Sequence, residues 1–92
     1  MYFDVMEAQY VENHCIKLDF EDGSSGIADL AAYPNENDVF RRFLDMECFR
    51  NFRIEYGTIV WGRGDLDIAP ETLYTIATGK PVRYNRVSKS AV

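Results

Sequence analysis

The stretch CIKLDFEDGSSGIADL, residues 15–30, contains the clearest structural signal in the chain. Over residues 15–20, apolar side chains alternate with polar ones, the pattern of a strand with one face in a core and the other in solvent. The pair Asp22-Gly23 follows and is typical of a tight turn, because glycine accepts a positive φ. Residues 25–30 then return beside the first strand. The sequence therefore predicts an antiparallel hairpin.

Strand-like segments lie on both sides of this hairpin. Residues 3–11 are rich in Phe, Val, Tyr and Met, which predicts a strand that precedes it. Residues 52–61 predict a second hairpin that turns at Gly57. Two glycines within residues 62–64 directly follow Trp61, and they predict a bulge or a break in strand pairing.

Two other segments have helical periodicity. The first runs from Pro34 to Asp45, where Asn35 is suited to cap a helix of at most three turns. The second runs from Pro70, which is tolerated in the first helical position, to Gly79, which can end a helix. The apolar stripes of the two helices consist of Val39, Phe40, Phe43 and Leu44 in the first, and of Leu73, Tyr74, Ile76 and Ala77 in the second.

The predicted order is three strands, a helix, two strands and a helix. Sequential hairpins favour antiparallel pairing, so we expect an α+β domain in which two short helices pack on one face of a sheet of about five strands. A chain of 92 residues is long enough for one such domain. We place it in residues 1–79 and expect a loose, basic C-terminal tail in residues 80–92, where no hydrophobic period is present.

The sequence indicates a cytoplasmic protein without a membrane-spanning segment. No apolar run is long enough to cross a bilayer, and the first residues carry acids where a secretory signal carries bases. Cys15 and Cys48 fit that compartment as free thiols, and Cys48 is predicted to be a small buried hydrophobe. No zinc site is expected, because the chain has one histidine and no Cys-x-x-Cys pair.

Charge is unevenly distributed along the chain. Residues 1–79 hold 6 basic and 15 acidic residues, a net charge of −9, whereas residues 80–92 hold 4 basic and no acidic residues, a net charge of +4. The acidic body should repel nucleic acid. The tail is compatible with a solvated terminus, with docking on an acidic protein surface such as a second copy, or with single-stranded nucleic acid. Its candidate partner-binding residues are Lys80, Arg83, Tyr84, Arg86 and Lys89.

Three carboxylates near the last helix form a candidate metal site for a small metal-dependent enzyme. Asp65 and Asp67 point to the same side of an extended chain, and Glu71 follows in the first helical turn. Their spacing matches no metal-binding template, so we expect no bound metal and no cofactor. In the alternative interpretation, Glu71 simply interacts with the positive end of the helix.

Two other features are predicted to be structural. His14 and Cys15 are neighbours, but successive side chains of a strand point to opposite faces, so they cannot form a nucleophile–base pair. His14 is therefore expected to be a surface residue at the start of a strand. Trp61 is predicted to lie in the core, with a place in a partner interface as the alternative.

Two longer motifs carry a family resemblance: LDFEDGSSGIADL, residues 18–30, and FRRFLDMECFRNFRIEYGTIVWGRGDLDIAPETLY, residues 40–74. Their shared elements are Phe40, Leu44, Phe49, Gly57, Trp61, Asp67-Ile68, Pro70-Glu71 and Leu73-Tyr74. Through them the chain resembles the bacterial domain of unknown function 2442 family. The resemblance covers most of residues 3–77 and does not include the tail.

The resemblance implies a small bacterial α+β protein without assigned catalytic residues. Members of the family look like partners of small neighbouring proteins in toxin–antitoxin-like pairs, and some carry a helix-turn-helix domain that is not found here. We therefore expect a non-enzymatic protein-interaction module, antitoxin-like or accessory, whose partner is another small protein or a second copy. The alternatives are the metal-dependent enzyme and nucleic-acid binding through the tail.

Overall fold

The computed structural model describes residues 3–79, which contain six strands in two separate sheets. The strands are β1 (Val5–Glu12), β2 (Cys15–Phe20), β3 (Ser25–Asp29), β4 (Phe52–Glu55), β5 (Thr58–Trp61) and β6 (Leu66–Ile68). Sheet A is antiparallel in the order β1-β2-β3, and sheet B is antiparallel in the order β4-β5-β6. The α+β class is confirmed, whereas the prediction of one sheet of about five strands is wrong.

A backbone hydrogen bond links β1 of sheet A to the β4–β5 turn of sheet B. The Val5 amide of β1 donates a hydrogen bond to the Gly57 carbonyl in the β4–β5 turn, with the two atoms 2.8 Å apart. No further ladder joins β1 to β4 among residues 3–79, so the hairpins do not merge into one sheet.

The turn signals in the sequence are borne out. Gly23 has a φ of +91°, and the Ser24 amide donates a hydrogen bond of 2.8 Å to the Asp22 carboxylate. Gly62 and Gly64 also have positive φ values. They interrupt pairing as predicted, but they form the turn between β5 and β6 rather than a bulge inside a strand.

The predicted single helix after β3 is wrong. Residues 33–50 instead form helix α1 (Tyr33–Glu36), a 3₁₀ helix (Asp38–Leu44) and helix α2 (Met46–Arg50). The extended residues between them, Asn37 and Asp45, accept hydrogen bonds from the backbone amides that follow. Such side-chain bonds compete with a continuous helix. Val39 and Leu44 of the predicted apolar stripe are consequently exposed.

Helix α3 (Pro70–Thr78) agrees with the prediction. Gly79 ends it in the left-handed conformation, and Leu73 and Tyr74 are buried. The helix packs most closely on β3 of sheet A, where a Cβ atom added to Gly26 would lie only 2.1 Å from the Ala77 carbonyl oxygen. A residue without a side chain is therefore required for this close approach.

Trp61 is fully buried, which confirms its predicted place in the core. Its indole N–H donates a hydrogen bond of 2.8 Å to the Phe49 carbonyl, and its ring lies 4.6 Å from that of Phe43. The ring of Tyr74 in α3 contacts those of Phe3 and Phe20. The core thus joins both sheets, α3 and the short helices.

Candidate interaction surface

The structure gives the predicted metal carboxylates separate roles. Asp65 forms an ion pair of 2.8 Å with Arg42 and also accepts a hydrogen bond from the Arg63 amide. The hydrogen bond from Arg42 is the main cause that lowers the pKa of the Asp65 carboxyl from its usual 3.8. Asp67 lies exposed on β6, and Glu71 lies in the first turn of α3. Within residues 3–79, no three His, Cys, Asp or Glu side chains are grouped to hold a metal ion.

His14 lies in the turn directly before β2, close to the predicted start of a strand, but it is half-buried and so less exposed than predicted. Its Nε2 donates a 2.6 Å hydrogen bond to the Phe43 carbonyl, and its ring lies 4.7 Å from that of Phe49. A carbonyl oxygen only accepts, so this contact requires a proton on Nε2. His14 therefore links the β1–β2 turn to the 3₁₀ helix through this hydrogen bond.

Both cysteines are free thiols. Cys48 was predicted to be buried, but the structure shows it half-buried. Burial, followed by the charges of Asp29 and Glu12, raises the pKa of the Cys15 thiol. A raised pKa keeps the thiol protonated and makes it a weak nucleophile. The predicted partner-binding residues of the tail, Lys80, Arg83, Tyr84, Arg86 and Lys89, lie outside the described residues.

Sheet A has one face on the core and one in solvent, and we call the solvent side the outer face. The strand register arranges its side chains in three rows that cross all three strands. The rows are Glu12, Cys15 and Asp29; Gln9, Lys17 and Ile27; and Glu7, Asp19 and Ser25. Seven of these nine residues are exposed, and Cys15 and Asp19 are half-buried.

The outer face is strongly acidic for its size. Its first and third rows carry four carboxylates, and its middle row carries the single ammonium group of Lys17. Glu7 stands directly opposite Asp19. Like charges in directly opposed positions of a sheet destabilise it. The face therefore provides a strong negative field in which the repulsion between its own carboxylates would be relieved by a cationic ligand.

Apolar side chains accompany these acids. Ile27 is 52% exposed in the middle row, and Met6 is 59% exposed in β1. Val11 is also exposed, and both Met6 and Val11 stand at positions where the β1–β2 register shifts. A depression of about 440 Å³ includes Met6 and is lined by Met6, Glu7, Ala8, Gln9, Lys17, Asp19 and Ile54. Exposed apolar groups within a polar surround are typical of protein-binding surfaces.

The sequence profile of a family described as "protein of unknown function (DUF2442)" matches residues 5–79. The chain belongs to the DUF2442 family. The resemblance identified from the sequence is thereby confirmed. Comparisons with curated proteins and with solved structures gave no significant match. The helices of this DUF2442 chain within residues 3–79 are all too short or too polar to cross a membrane.

The outer face of the DUF2442 chain was not predicted as a unit from the sequence. Alternation along β2 had placed Lys17 and Asp19 in solvent, but it did not identify the residues beside them on the neighbouring strands. Those neighbours depend on the two register shifts in β1. Tyr56 was also missed: it is 97% exposed in the β4–β5 turn with a φ of +54°.

Proposed function

We propose that this DUF2442 chain is a non-enzymatic protein-interaction module, the antitoxin-like or accessory member of a small bacterial protein pair. It acts in the cytoplasm, where its two thiols stay reduced. Support comes from the outer face of sheet A, where four carboxylates surround exposed apolar side chains. The partner is a small protein that presents a basic segment with at least one large apolar side chain.

The charged groups and the apolar groups of the outer face contribute to this binding in different ways. Carboxylates at the surface attract a basic partner from a distance and exclude acidic ones, and therefore act mainly on the association rate and on specificity. Ile27 and Met6 supply apolar area that is removed from water on binding, which slows dissociation.

The acidic outer face favours a protein partner over nucleic acid. Phosphate groups would be repelled by Glu7, Glu12, Asp19 and Asp29, whereas Lys and Arg side chains would be attracted. A metal-dependent enzyme has less support, because Asp65 is paired with Arg42. We therefore propose binding and no catalysis.

Co-purification with the product of the adjacent gene tests this function, followed by titration calorimetry of the two purified proteins. The double substitution Glu7→Lys/Asp19→Lys should weaken binding by about tenfold or more, which corresponds to about 1.4 kcal/mol. Glu36→Lys/Asp67→Lys is the matched control, because it changes the net charge equally at exposed positions away from the outer face. Absence of a complex at micromolar concentrations, or equal weakening by both variants, contradicts the proposal.

A further inference from the structure

We propose that residues 80–92 of the same chain dock across the outer face of sheet A when no partner is bound. This inference rests on the proposed function, since it names an occupant for the same surface. The occupant follows from three features: the place where the described chain ends, the distance to be covered, and the complementary chemistry of the two surfaces.

The described chain ends beside sheet A. Gly79 closes α3 with a hydrogen bond of 2.8 Å from its amide to the Thr75 carbonyl. The last turn of α3 lies against β3, because a Cβ atom on Gly26 would be 2.1 Å from the Ala77 oxygen. Within residues 3–79, β3 pairs only with β2, so its other edge is open. The described chain therefore ends two residues after a contact with β3, the strand at the open edge of sheet A.

The distance to the outer face is short. An extended residue covers about 3.3 Å, so residues 80–83 span about 13 Å. That length exceeds the ~10 Å between one packed layer and the next, and the long side chain of residue 84 adds to the reach toward the outer face. Residues 84–89 then span about 20 Å, whereas three strands at a spacing of ~4.8 Å are only about 10 Å across. We therefore expect Tyr84 to be the aromatic residue of the tail that contacts Ile27.

The chemistry of the two partners is complementary. The outer face carries four carboxylates and one ammonium group around Ile27. Residues 80–92 carry four basic side chains and no acidic one. Tyr84 and Val87 lie between these basic residues in the sequence. Side chains alternate along an extended chain, so Tyr84 and Arg86 would point to the same side. A tail that lies along the outer face would therefore bring an aromatic ring to Ile27 and a guanidinium group to the carboxylates near it.

The tether favours the same chain over a second copy. Individual exposed ion pairs are weak, so the tail needs a high local concentration to remain bound. A short linker supplies an effective concentration in the millimolar range, about a thousandfold above a protein at micromolar concentration. Docking within one chain is thus expected at concentrations where a second copy does not bind.

The native thiol of Cys15, in the first row of the outer face, allows a direct test by disulfide trapping. The full chain with Tyr84→Cys and Cys48→Ser is oxidised with glutathione disulfide in mildly alkaline buffer. An intrachain disulfide between Cys15 and the new thiol should form, seen as the loss of two hydrogen atoms in mass and as a monomer on non-reducing gels. The matched control, Tyr84→Cys with Cys15→Ser, offers only Cys48 and should react at least about tenfold more slowly.

Loop length and the raised pKa of the Cys15 thiol both argue against this expected preference, which makes the test demanding. Cys48 is closer to position 84 in sequence than Cys15 is, and shorter loops close more readily. In the Cys48→Ser background, Arg83→Glu/Arg86→Glu should slow trapping about tenfold, because attraction becomes repulsion. Asn85→Gln should leave the rate unchanged.

Three outcomes overturn the inference: equal rates with Cys15 and Cys48, no disulfide, or disulfides only between two chains, which identify a second copy as the occupant. These outcomes are distinct from failure of the proposed function. Trapping is measured without a partner and calorimetry is measured with one, so each result is obtained without the other. If the chain binds its partner but the trapping test fails, the proposed function stands and only the docking of the tail is refuted.

Discussion

Gly26→Ala tests the closest contact between helix and sheet in this protein. The added Cβ atom would lie 2.1 Å from the backbone oxygen of Ala77, whereas ordinary contacts begin at 3.4 Å. The last turn of α3 must therefore move away by about 1.3 Å, the difference between these two distances. No flexible side-chain end can absorb this movement, since the nearest atom is backbone.

Two opposing effects determine the magnitude. Overpacking costs about 1–3 kcal/mol. Gly26 does not have a positive φ, so alanine fits its backbone and gains about 0.4–1 kcal/mol by restricting the unfolded chain. Because backbone must move, we expect the overpacking cost to lie in the upper half of its range, so that the net loss of stability is about 1–2 kcal/mol. Such a loss lowers Tm by about 4–16 °C in a domain of this size.

The measurement is thermal unfolding followed by far-UV circular dichroism, with urea unfolding as a second scale. Ser25→Ala, at the exposed neighbouring position of β3, is the control and should stay within about 0.5 kcal/mol of the wild type. Adding Ala77→Gly to Gly26→Ala should not restore stability, because the clash involves the carbonyl and remains. A Gly26→Ala protein as stable as the wild type would refute the described packing of α3 on β3.

Three further predictions concern single side chains. Trp61→Phe leaves the buried Phe49 carbonyl without its donor and should cost about 1–3 kcal/mol in urea unfolding followed by circular dichroism; an unchanged urea midpoint contradicts this. Tyr56→Asn should raise stability by about 1 kcal/mol, because asparagine tolerates the left-handed backbone better than tyrosine, and a lower Tm is the opposing result. Asp65 has a lowered pKa in the folded state, so its stabilisation is present above the usual carboxyl pKa of 3.8 and is lost as the pH falls through the lower value. The Tm advantage of the wild type over Asp65→Asn should accordingly be largest at neutral pH and vanish in acid; an advantage independent of pH counts against the Arg42 pair.

Features that depend only on residues close together in the sequence could be predicted. The Asp22-Gly23 turn and the ends of α3 at Pro70 and Gly79 all agree with the structure. The prediction for the segment between the sheets was wrong for a related reason. The side chains of Asn37 and Asp45 accept hydrogen bonds from backbone amides, and these bonds outweigh the helical periodicity of the segment. Periodicity shows which side chains prefer a core, but it does not show whether the backbone has a stronger local alternative.

The outer face is a feature that could not be predicted from the sequence. Alternation in β2 established that Lys17 and Asp19 face solvent, yet it contained no information about Glu7 or Ile27 beside them. Their places follow from backbone pairing between distant residues and from the shifts at Met6 and Val11. Local backbone preferences, which act over a few residues, can be predicted from the sequence. Cross-strand register and the meeting of two sheets are fixed only when the whole core packs, because contacts between remote residues then select one pairing.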